Sequence, residues 1–224
     1  MLVRTQDNAP QRSGSSGLNA LAGHAVSCSE FKYQRGTEIF GDAEPVDYLY
    51  QVNSGAVRCY KLLADGRRQI MAFYLPGDIF GVENSAVHRF SAEAIVETTV
   101  RLTDRQNVVD GEEEDGRAAA INNVLRLVTS NLQHAETHML LLGRKTAIEK
   151  VAAFLIEMDV RLSAAGVLSL PMNRRDVADY LGLSLETVSR ALSQLKDRDV
   201  LTFTGQSRRQ IILRDRAKLA EFDH

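Results

Sequence analysis

The chain has 224 residues, 44% of them hydrophobic and 25% charged, with a formal net charge of −2. This composition is ordinary for a soluble globular protein of one large or two small domains. The near-neutral charge excludes an overall basic chain, and no apolar run is long enough to cross a bilayer. Since the polar N-terminus also lacks the hydrophobic region of a signal peptide, we expect a cytoplasmic protein with no membrane partner.

Residues 1–24 are rich in Gly, Ser, Asn and Gln, and this bias predicts a disordered tail. The two cysteines of the chain, Cys28 and Cys59, follow it. In a reducing compartment they are expected to be free thiols. Two thiols cannot supply the four ligands of an iron–sulfur cubane within one chain.

Residues 25–111 are predicted to form an antiparallel β-roll or jelly roll. The sequence contains short β-rich runs at 48–63, 67–81 and 91–104, which are interrupted by turn residues, among them Asn53-Ser54-Gly55 and Pro76-Gly77. Asp65-Gly66 lies between two of these runs and predicts a tight hairpin. Many short strands with this spacing are typical of small closed β folds.

A long helix is predicted over residues 112–142, with the acidic run 112–115 at its N-terminus, where the helix dipole favours negative charge. Its apolar residues recur in steps of three and four, close to the heptad repeat of a coiled coil. We therefore expect a dimerisation helix, with a helix packed on its own roll as the alternative. The predicted interface comprises Ile121, Val124, Val128, Leu132, Ala135, Met139 and Leu142.

Residues 143–216 are predicted to form a C-terminal domain that opens with an amphipathic helix at 145–164 and contains a helix-turn-helix at 175–194. In the first helix, Val177, Ala178 and Leu181 recur at helical spacing. Gly182 then lies where a sharp corner favours a residue without a Cβ. The predicted outer face of this helix carries Arg174, Arg175, Asp176 and Asp179.

The second helix is expected to begin after Ser184, whose hydroxyl can cap the free backbone N–H groups of the next turn. Glu186 adds a carboxylate in the first turn, which the helix dipole favours. The apolar residues that define the buried stripe of this helix are Val188, Ala191, Leu192 and Leu195. The opposite face is polar, so the segment is suited to the major groove of DNA.

The outward residues of the second helix have side chains that match base edges. Arg190 can donate two hydrogen bonds to guanine, Glu186 can accept from cytosine, and Leu185 can contact a thymine methyl. The predicted base contacts are thus Leu185, Glu186, Ser189 and Arg190. The predicted phosphate contacts are Asn173, Arg174, Arg175, Ser184, Thr187, Arg208 and Arg209. An ordinary helical hairpin with a charged solvent face is the alternative.

Short β segments at 167–170, 200–204 and 210–213 complete the predicted domain, and residues 205–209 are expected to form a wing. Residues 217–224 are predicted to be a tail. Charge supports DNA binding at this end of the chain: residues 171–216 hold nine Lys/Arg and six Asp/Glu, whereas residues 25–116 hold nine and sixteen.

Residues 186–190 read Glu-Thr-Val-Ser-Arg and resemble the recognition segment of the CRP/FNR superfamily of bacterial regulators. Residues 48–55 and 76–81 resemble the sensor β-roll of that superfamily. A leucine before the glutamate, here Leu185 before Glu186, resembles the recognition segment of its FNR and FixK branches. The resemblance implies an α+β fold: an antiparallel β-roll of the cyclic-nucleotide-binding, jelly-roll type, a long dimerisation helix and a winged helix-turn-helix.

The resemblance also implies a function: a homodimeric activator that binds palindromic double-stranded DNA of the TTGA-N6-TCAA type and recruits RNA polymerase. In such a site, Glu186 and Arg190 would read the G·C pair. The target genes implied for the FixK-like branch serve low-oxygen respiration or nitrogen fixation.

The roll lacks the residues that its relatives use to bind an effector. Cyclic-nucleotide-binding members pair an arginine with the phosphate where this chain has Phe90, and burying a phosphate without a counter-charge is costly. Arg89 lies one residue earlier, so it would point to the other face of a strand. We therefore expect no cofactor and no metal. The alternative is a regulator gated by a nucleotide, by haem bound to His88, His134 or His138, or by another small molecule.

A cupin-type enzyme is the contrasting function class, since cupins are also jelly rolls. It would need a metal held by a His-x-His pair, and the sequence contains no such pair. Neither a Gly-x-Ser-x-Gly elbow nor a phosphate-binding loop is present. We therefore expect a protein that is not an enzyme.

Overall fold

The computed structural model describes residues 3–4, 17–109, 114–162, 164–204 and 210–222. It divides into two compact units, one of Met1–Lys61 with Met71–His134 and one of Leu62–Ile70 with Ala135–His224. No helix among the described residues is both long and apolar enough to cross a membrane.

The first stretch of chain is mainly β. Its elements are β1 (Val3–Arg4), α1 (Leu18–Ala22), β2 (Ser29–Tyr33), β3 (Glu38–Phe40), β4 (Tyr48–Ser54), β5 (Val57–Leu62), β6 (Arg68–Tyr74), β7 (Ile79–Phe80), β8 (Ser91–Ala94), β9 (Thr98–Asp104) and α2 (Arg105–Val109). The strands form two sheets, ordered β1-β2-β9-β4-β7 and β3-β8-β5-β6. The paired strands are antiparallel, with Val52 of β4 opposite Val100 of β9. The predicted antiparallel roll is confirmed.

The roll encloses an aromatic core. The ring of Tyr50 lies 5.2 Å from that of Phe40 and 5.2 Å from that of Phe80, and Tyr74 stacks on Phe80 at 5.0 Å. Val52, Val57 and other fully buried aliphatic residues complete the cluster. Because aromatic side chains bury a large area each, this cluster supplies much of the apolar burial of the roll.

The predicted Asp65-Gly66 hairpin is confirmed between β5 and β6. Leu63 donates its N–H to the carbonyl of Arg67 at 2.8 Å, and Gly66 donates to the carbonyl of Leu63 at 2.9 Å. Gly66 has φ +79°, a conformation that favours glycine, and its Cβ position is open. The hairpin segment, Leu62–Ile70, belongs to the second compact unit.

The predicted disordered tail over residues 1–24 is wrong at its C-terminal end. Residues 18–22 form α1, and Leu18, Leu21 and Ala22 are buried in a cluster with Leu49 and Val108. Val3–Arg4 pair with β2 as β1. Composition failed here because three apolar residues in a polar stretch find partners far away in the chain. Residues 5–16 lie outside the described part.

The predicted long helix is α3 (Glu114–Arg144), which continues from the first unit into the second. It carries a stripe of exposed apolar residues: Ile121, Leu125, Val128, Leu132 and Met139. By contrast, Val124 and Leu127 pack against the cluster of Leu18. The exposed heptad stripe therefore runs through Leu125 where the sequence pattern predicted Val124, which contacts its own chain.

The second unit is a three-stranded sheet with helices. Its remaining elements are α4 (Ala147–Arg161), β10 (Val167–Ser169), α5 (Arg174–Leu181), α6 (Leu185–Asp197), β11 (Leu201–Thr204), β12 (Gln210–Leu213) and α7 (Arg216–Ala220), and the strand order is β10-β12-β11. Thr146 and Glu149 form a capping box at the start of α4. The predicted C-terminal tail at 217–224 is wrong for residues 217–220, which belong to α7, because Leu219 of this helix is completely buried.

Candidate nucleic-acid interface

The first helix of the predicted pair, α5, is closed at both ends. At its N-terminus, Asn173 Oδ1 accepts from the backbone N–H groups of Arg175 at 2.8 Å and Asp176 at 3.0 Å. At its C-terminus, Gly182 has φ +62° and Leu183 donates to the carbonyl of Ala178 at 3.0 Å. A left-handed glycine is a common way to end a helix. The sharp corner predicted at Gly182 is therefore present after α5.

The second helix, α6, begins as predicted after Ser184. The Ser184 hydroxyl accepts from the backbone N–H of Thr187 at 3.1 Å, and the two side-chain oxygens of these residues lie 3.0 Å apart. The predicted buried stripe is confirmed, because the residues buried on this helix are Val188, Ala191, Leu192 and Leu195. The stripe anchors α6 and leaves its opposite face open.

The predicted base-contacting residues lie together on the first turns of α6. Glu186 and Arg190 are exposed, whereas Leu185 and Ser189 are half-buried. Hydrogen bonds from its own backbone N–H and from the Ser184 hydroxyl hold the pKa of Glu186 below its usual value. The Glu186 carboxylate, a hydrogen-bond acceptor, and the Arg190 guanidinium, a donor, thus lie one turn apart on an exposed helix face.

The predicted phosphate contacts divide into several groups. Arg175 and Ser184 are exposed, so they are accessible to a backbone phosphate. Asn173 Oδ1 and the Ser184 hydroxyl also accept from the first backbone N–H groups of α5 and α6, and the Thr187 hydroxyl lies 3.0 Å from that of Ser184. Arg208 and Arg209 of the predicted wing lie outside the described residues.

Arg174 is held in place by two contacts that the sequence pattern did not predict. Its Nη1 lies 3.4 Å from the Ser189 hydroxyl of α6, and its guanidinium lies 5.3 Å from the centre of the Phe203 ring on β11. A guanidinium over an aromatic face is attracted by the ring quadrupole. Arg174 thus connects the first helix to the second and to the sheet.

The predicted outward position of Asp176 is wrong. The residue is fully buried, and its Oδ2 accepts from the backbone N–H of Asn173 at 3.2 Å, which completes the capping box. Its Oδ1 accepts from Arg68 in the hairpin at 2.7 Å. A buried carboxylate needs a partner of opposite charge, and sequence periodicity cannot reveal that Arg68 supplies it.

The position at which nucleotide-binding relatives carry a phosphate-binding arginine lies just before β8, in a segment that is described in full. Phe90 occupies that position, and Arg89 is exposed with its Nε on Glu83 Oε2 at 3.0 Å. His88 is buried, stacks on Phe40 at 3.7 Å and has its Nδ1 3.1 Å from Glu83 Oε1. Within the described ranges, no group of three or more His, Cys, Asp or Glu side chains is arranged to hold a metal ion.

Two family models match the chain. Residues 30–110 match the model of the cyclic nucleotide-binding domain, and residues 149–222 match the Crp-like helix-turn-helix domain. The nitrogen fixation regulation protein FixK of Rhizobium meliloti (strain 1021) is 43% identical over 169 residues, which is 75% of this chain and 76% of FixK. The transcriptional activatory protein AadR of Rhodopseudomonas palustris is 41% identical over 162 residues, 70% of this chain and 67% of AadR.

The solved structures agree with the sequence relatives. The structure of FixK2 from Bradyrhizobium japonicum has a TM-score of 0.80 and 53% identity, over 89% of this chain and 98% of FixK2. A CooA mutant from Carboxydothermus hydrogenoformans has a TM-score of 0.73 at 24% identity, over 95% of this chain and 98% of CooA, and shares the fold. With its DNA-binding helix-turn-helix, the chain belongs to the CRP/FNR family of transcription regulators and is a FixK-like member of it.

Proposed function

We propose that the protein binds a palindromic DNA site of the TTGA-N6-TCAA type as a homodimer. The observation that carries the proposal is the capped helix α6, which is fixed by its buried stripe and presents charged Glu186 and Arg190 on an open face. Arg190 donates to guanine O6 and N7, and Glu186 accepts from the cytosine amino group of the same half-site. Leu185 and Ser189 contact neighbouring bases.

The homodimer forms through α3. Its exposed stripe repeats in steps of four and three through Ile121, Leu125, Val128, Leu132, Ala135 and Met139. Apolar side chains at such heptad positions pack against the same stripe of a second helix. A symmetric dimer then presents two copies of α6, about one DNA turn apart, to the two halves of a palindrome.

The regulator binds DNA without a bound effector. The roll core is filled by the rings of Phe40, Tyr50 and Phe80, and Phe90 replaces the phosphate-binding arginine of nucleotide-binding relatives. Arg89 is turned outward and paired with Glu83, so it does not substitute for that arginine. Control of activity would then come from the amount of protein present.

The protein acts as an activator that recruits RNA polymerase, at genes of low-oxygen respiration or nitrogen fixation. Support comes from its relatives, which are described as nitrogen fixation regulation proteins and as a transcriptional activatory protein.

The low net charge of −2 agrees with DNA recognition through a local basic surface rather than through a generally basic chain.

A DNA-binding assay with the purified, full-length protein tests this function. We expect specific binding of a TTGA-N6-TCAA duplex by a dimer, without added ligand, and weak binding of a scrambled duplex. An absolute requirement for cAMP, for haem or for another cofactor would overturn the effector-free mode and favour gated binding. Equal affinity for both duplexes would overturn the proposed sequence-specific binding.

A further inference from the structure

Arg68, the first residue of β6, contacts two carboxylates of the first DNA-binding helix. Its Nη2 donates to Asp176 Oδ1 at 2.7 Å and to Asp179 Oδ2 at 2.7 Å, and its Nε donates to Asp179 Oδ2 at 3.0 Å. The side chains concerned are largely buried, with 19% exposure for Arg68, 1% for Asp176 and 17% for Asp179. Because the planar guanidinium has fixed donor directions, it restrains both carboxylates at once.

The two carboxylates have different roles in α5. Asp176 already accepts from the backbone N–H of Asn173 in the capping box, so its position is set by the helix start. Asp179 lies one turn later on the same helix. Like charges at this spacing repel each other, and Arg68 neutralises that repulsion.

A second contact joins the hairpin segment to the same helix. Gln69 Nε2 lies 3.4 Å from the backbone carbonyl of Tyr180, which is near the C-terminus of α5. Tyr180 is buried between Phe154 of α4 and His138 of α3, whose ring lies 4.1 Å from its own. Arg68 and Gln69 therefore restrain α5 along most of its length.

The restrained helix is in turn connected to the recognition helix. Arg174, at the start of α5, contacts Ser189 of α6, and Gly182 ends α5 only two residues before the Ser184 cap. A rotation of α5 would therefore shift the start of α6, where Leu185 and Glu186 lie. Small displacements of this kind lower affinity strongly when bidentate contacts are required.

We propose that Arg68 is a positioning residue for DNA binding. Its guanidinium binds Asp176 and Asp179 and so holds α5 in the orientation that presents α6 to DNA. It also neutralises these two carboxylates of α5. This inference rests on the proposed function. Arg68 lies more than a hundred residues before the helix-turn-helix in sequence, and in this role it acts through α5.

The test uses full-length variants in the specific and scrambled binding assays: Arg68→Gln, Arg68→Lys, Asp179→Asn and the Arg68→Gln/Asp179→Asn double variant. Arg68→Gln should weaken binding to the specific duplex by about 5- to 50-fold, a typical size for coupling between distinct sites. Arg68→Gln should weaken binding to the scrambled duplex less, since phosphate contacts are less sensitive to the angle of α6. Arg68→Lys should recover part of the loss, because lysine keeps the charge without the fork.

The double variant separates positioning from general destabilisation. If Arg68 acts through Asp179, the double variant should bind DNA more tightly than Arg68→Gln alone, because the unpaired carboxylate is gone. The effects of the two single substitutions on affinity should therefore not add. Thermal unfolding of each variant fixes a temperature at which all are fully folded. The matched control is Arg67→Gln, because Arg67 is exposed and pairs with Asp65 of its own turn.

Unchanged specific affinity in Arg68→Gln, or strictly additive effects in the double variant, would overturn the positioning role. Equal weakening of specific and scrambled duplexes would also overturn it. If the unmodified protein fails to bind the specific duplex, the proposed function itself is wrong, so the two failures are distinguishable.

Discussion

The side chains of Asn173 and Asp176 each accept a hydrogen bond from the other residue's backbone N–H at the start of α5. The Asn173 side-chain oxygen accepts from the Asp176 N–H at 3.0 Å, and the Asp176 carboxylate accepts from the Asn173 N–H at 3.2 Å. This capping box lies where the chain enters the DNA-binding helices, so the stability of the helix start and the geometry of the interface depend on the same two side chains.

Replacing Asn173 by alanine should therefore destabilise the protein. We expect a loss of about 1 kcal/mol in the free energy of unfolding, because two N–H groups of the first turn lose their acceptor. Urea unfolding followed by circular dichroism measures it. Gln194→Ala, on the exposed surface of α6, is the control and should change stability little. A wild-type unfolding free energy for Asn173→Ala would contradict the capping role.

Arg190→Ala should alter base choice more than overall affinity. Loss of a bidentate contact to guanine should cost about 1 to 3 kcal/mol on the specific duplex and reduce discrimination at the G·C pair. Arg175 is exposed and is proposed to contact a phosphate, so Arg175→Ala should weaken binding to all duplexes alike and reduce the salt dependence of binding. Fluorescence anisotropy with single-base variants of the site distinguishes these outcomes. Equal losses on specific and scrambled DNA for Arg190→Ala would argue against base reading.

Leu132→Glu should dissociate the proposed dimer. Leu132 is 57% exposed on the apolar stripe of α3, and a charge there cannot be buried against a second helix without a large cost. Sedimentation velocity should show a monomer, with DNA binding weakened accordingly. The control is Ser130→Glu, which lies on the same exposed helix but off the stripe. A stable Leu132→Glu dimer would place the interface elsewhere.

The two cysteines should differ in reactivity. Burial raises the pKa of the Cys59 thiol to about 12, whereas Cys28 is half-buried with a pKa that is raised mainly by burial and lowered in part by Arg101. Because the thiolate is the nucleophile, iodoacetamide near neutral pH should label Cys28 before Cys59 in the folded protein. Peptide mass spectrometry measures both sites. In urea the difference should disappear, and equal labelling of the native protein would contradict the burial of Cys59.

Local features of the DNA-binding helices could be predicted because their causes lie within a few residues. Ser184 caps the turn that follows it, Gly182 ends the helix that precedes it, and the stripe of Val188 and Leu195 follows from helical periodicity. The same holds for the hairpin at Asp65 and Gly66. These interactions form between neighbours in the chain, so the pattern of residue types is enough to identify them.

Other features depended on partners that lie far apart in the chain. Leu18 and Leu21 appeared to belong to a polar tail, but they are buried beside Leu49 and Val108. Val124 fits the heptad pattern as well as Leu125 does, yet it is the one that packs on its own chain. Periodicity identifies an apolar helix face, but it cannot show which residues of that face pack against the rest of the same chain.

The sequence by itself determined the order of roll, long helix and helix-turn-helix, and the side chains that α6 presents, because each follows from local spacing or from the recognition segment at residues 186–190. Only the tertiary structure decided that Asp176 is buried and that Arg68 is its partner, 108 residues away. A buried charge is tolerated only where an opposite charge with suitable geometry meets it, and the fold alone brings the two together.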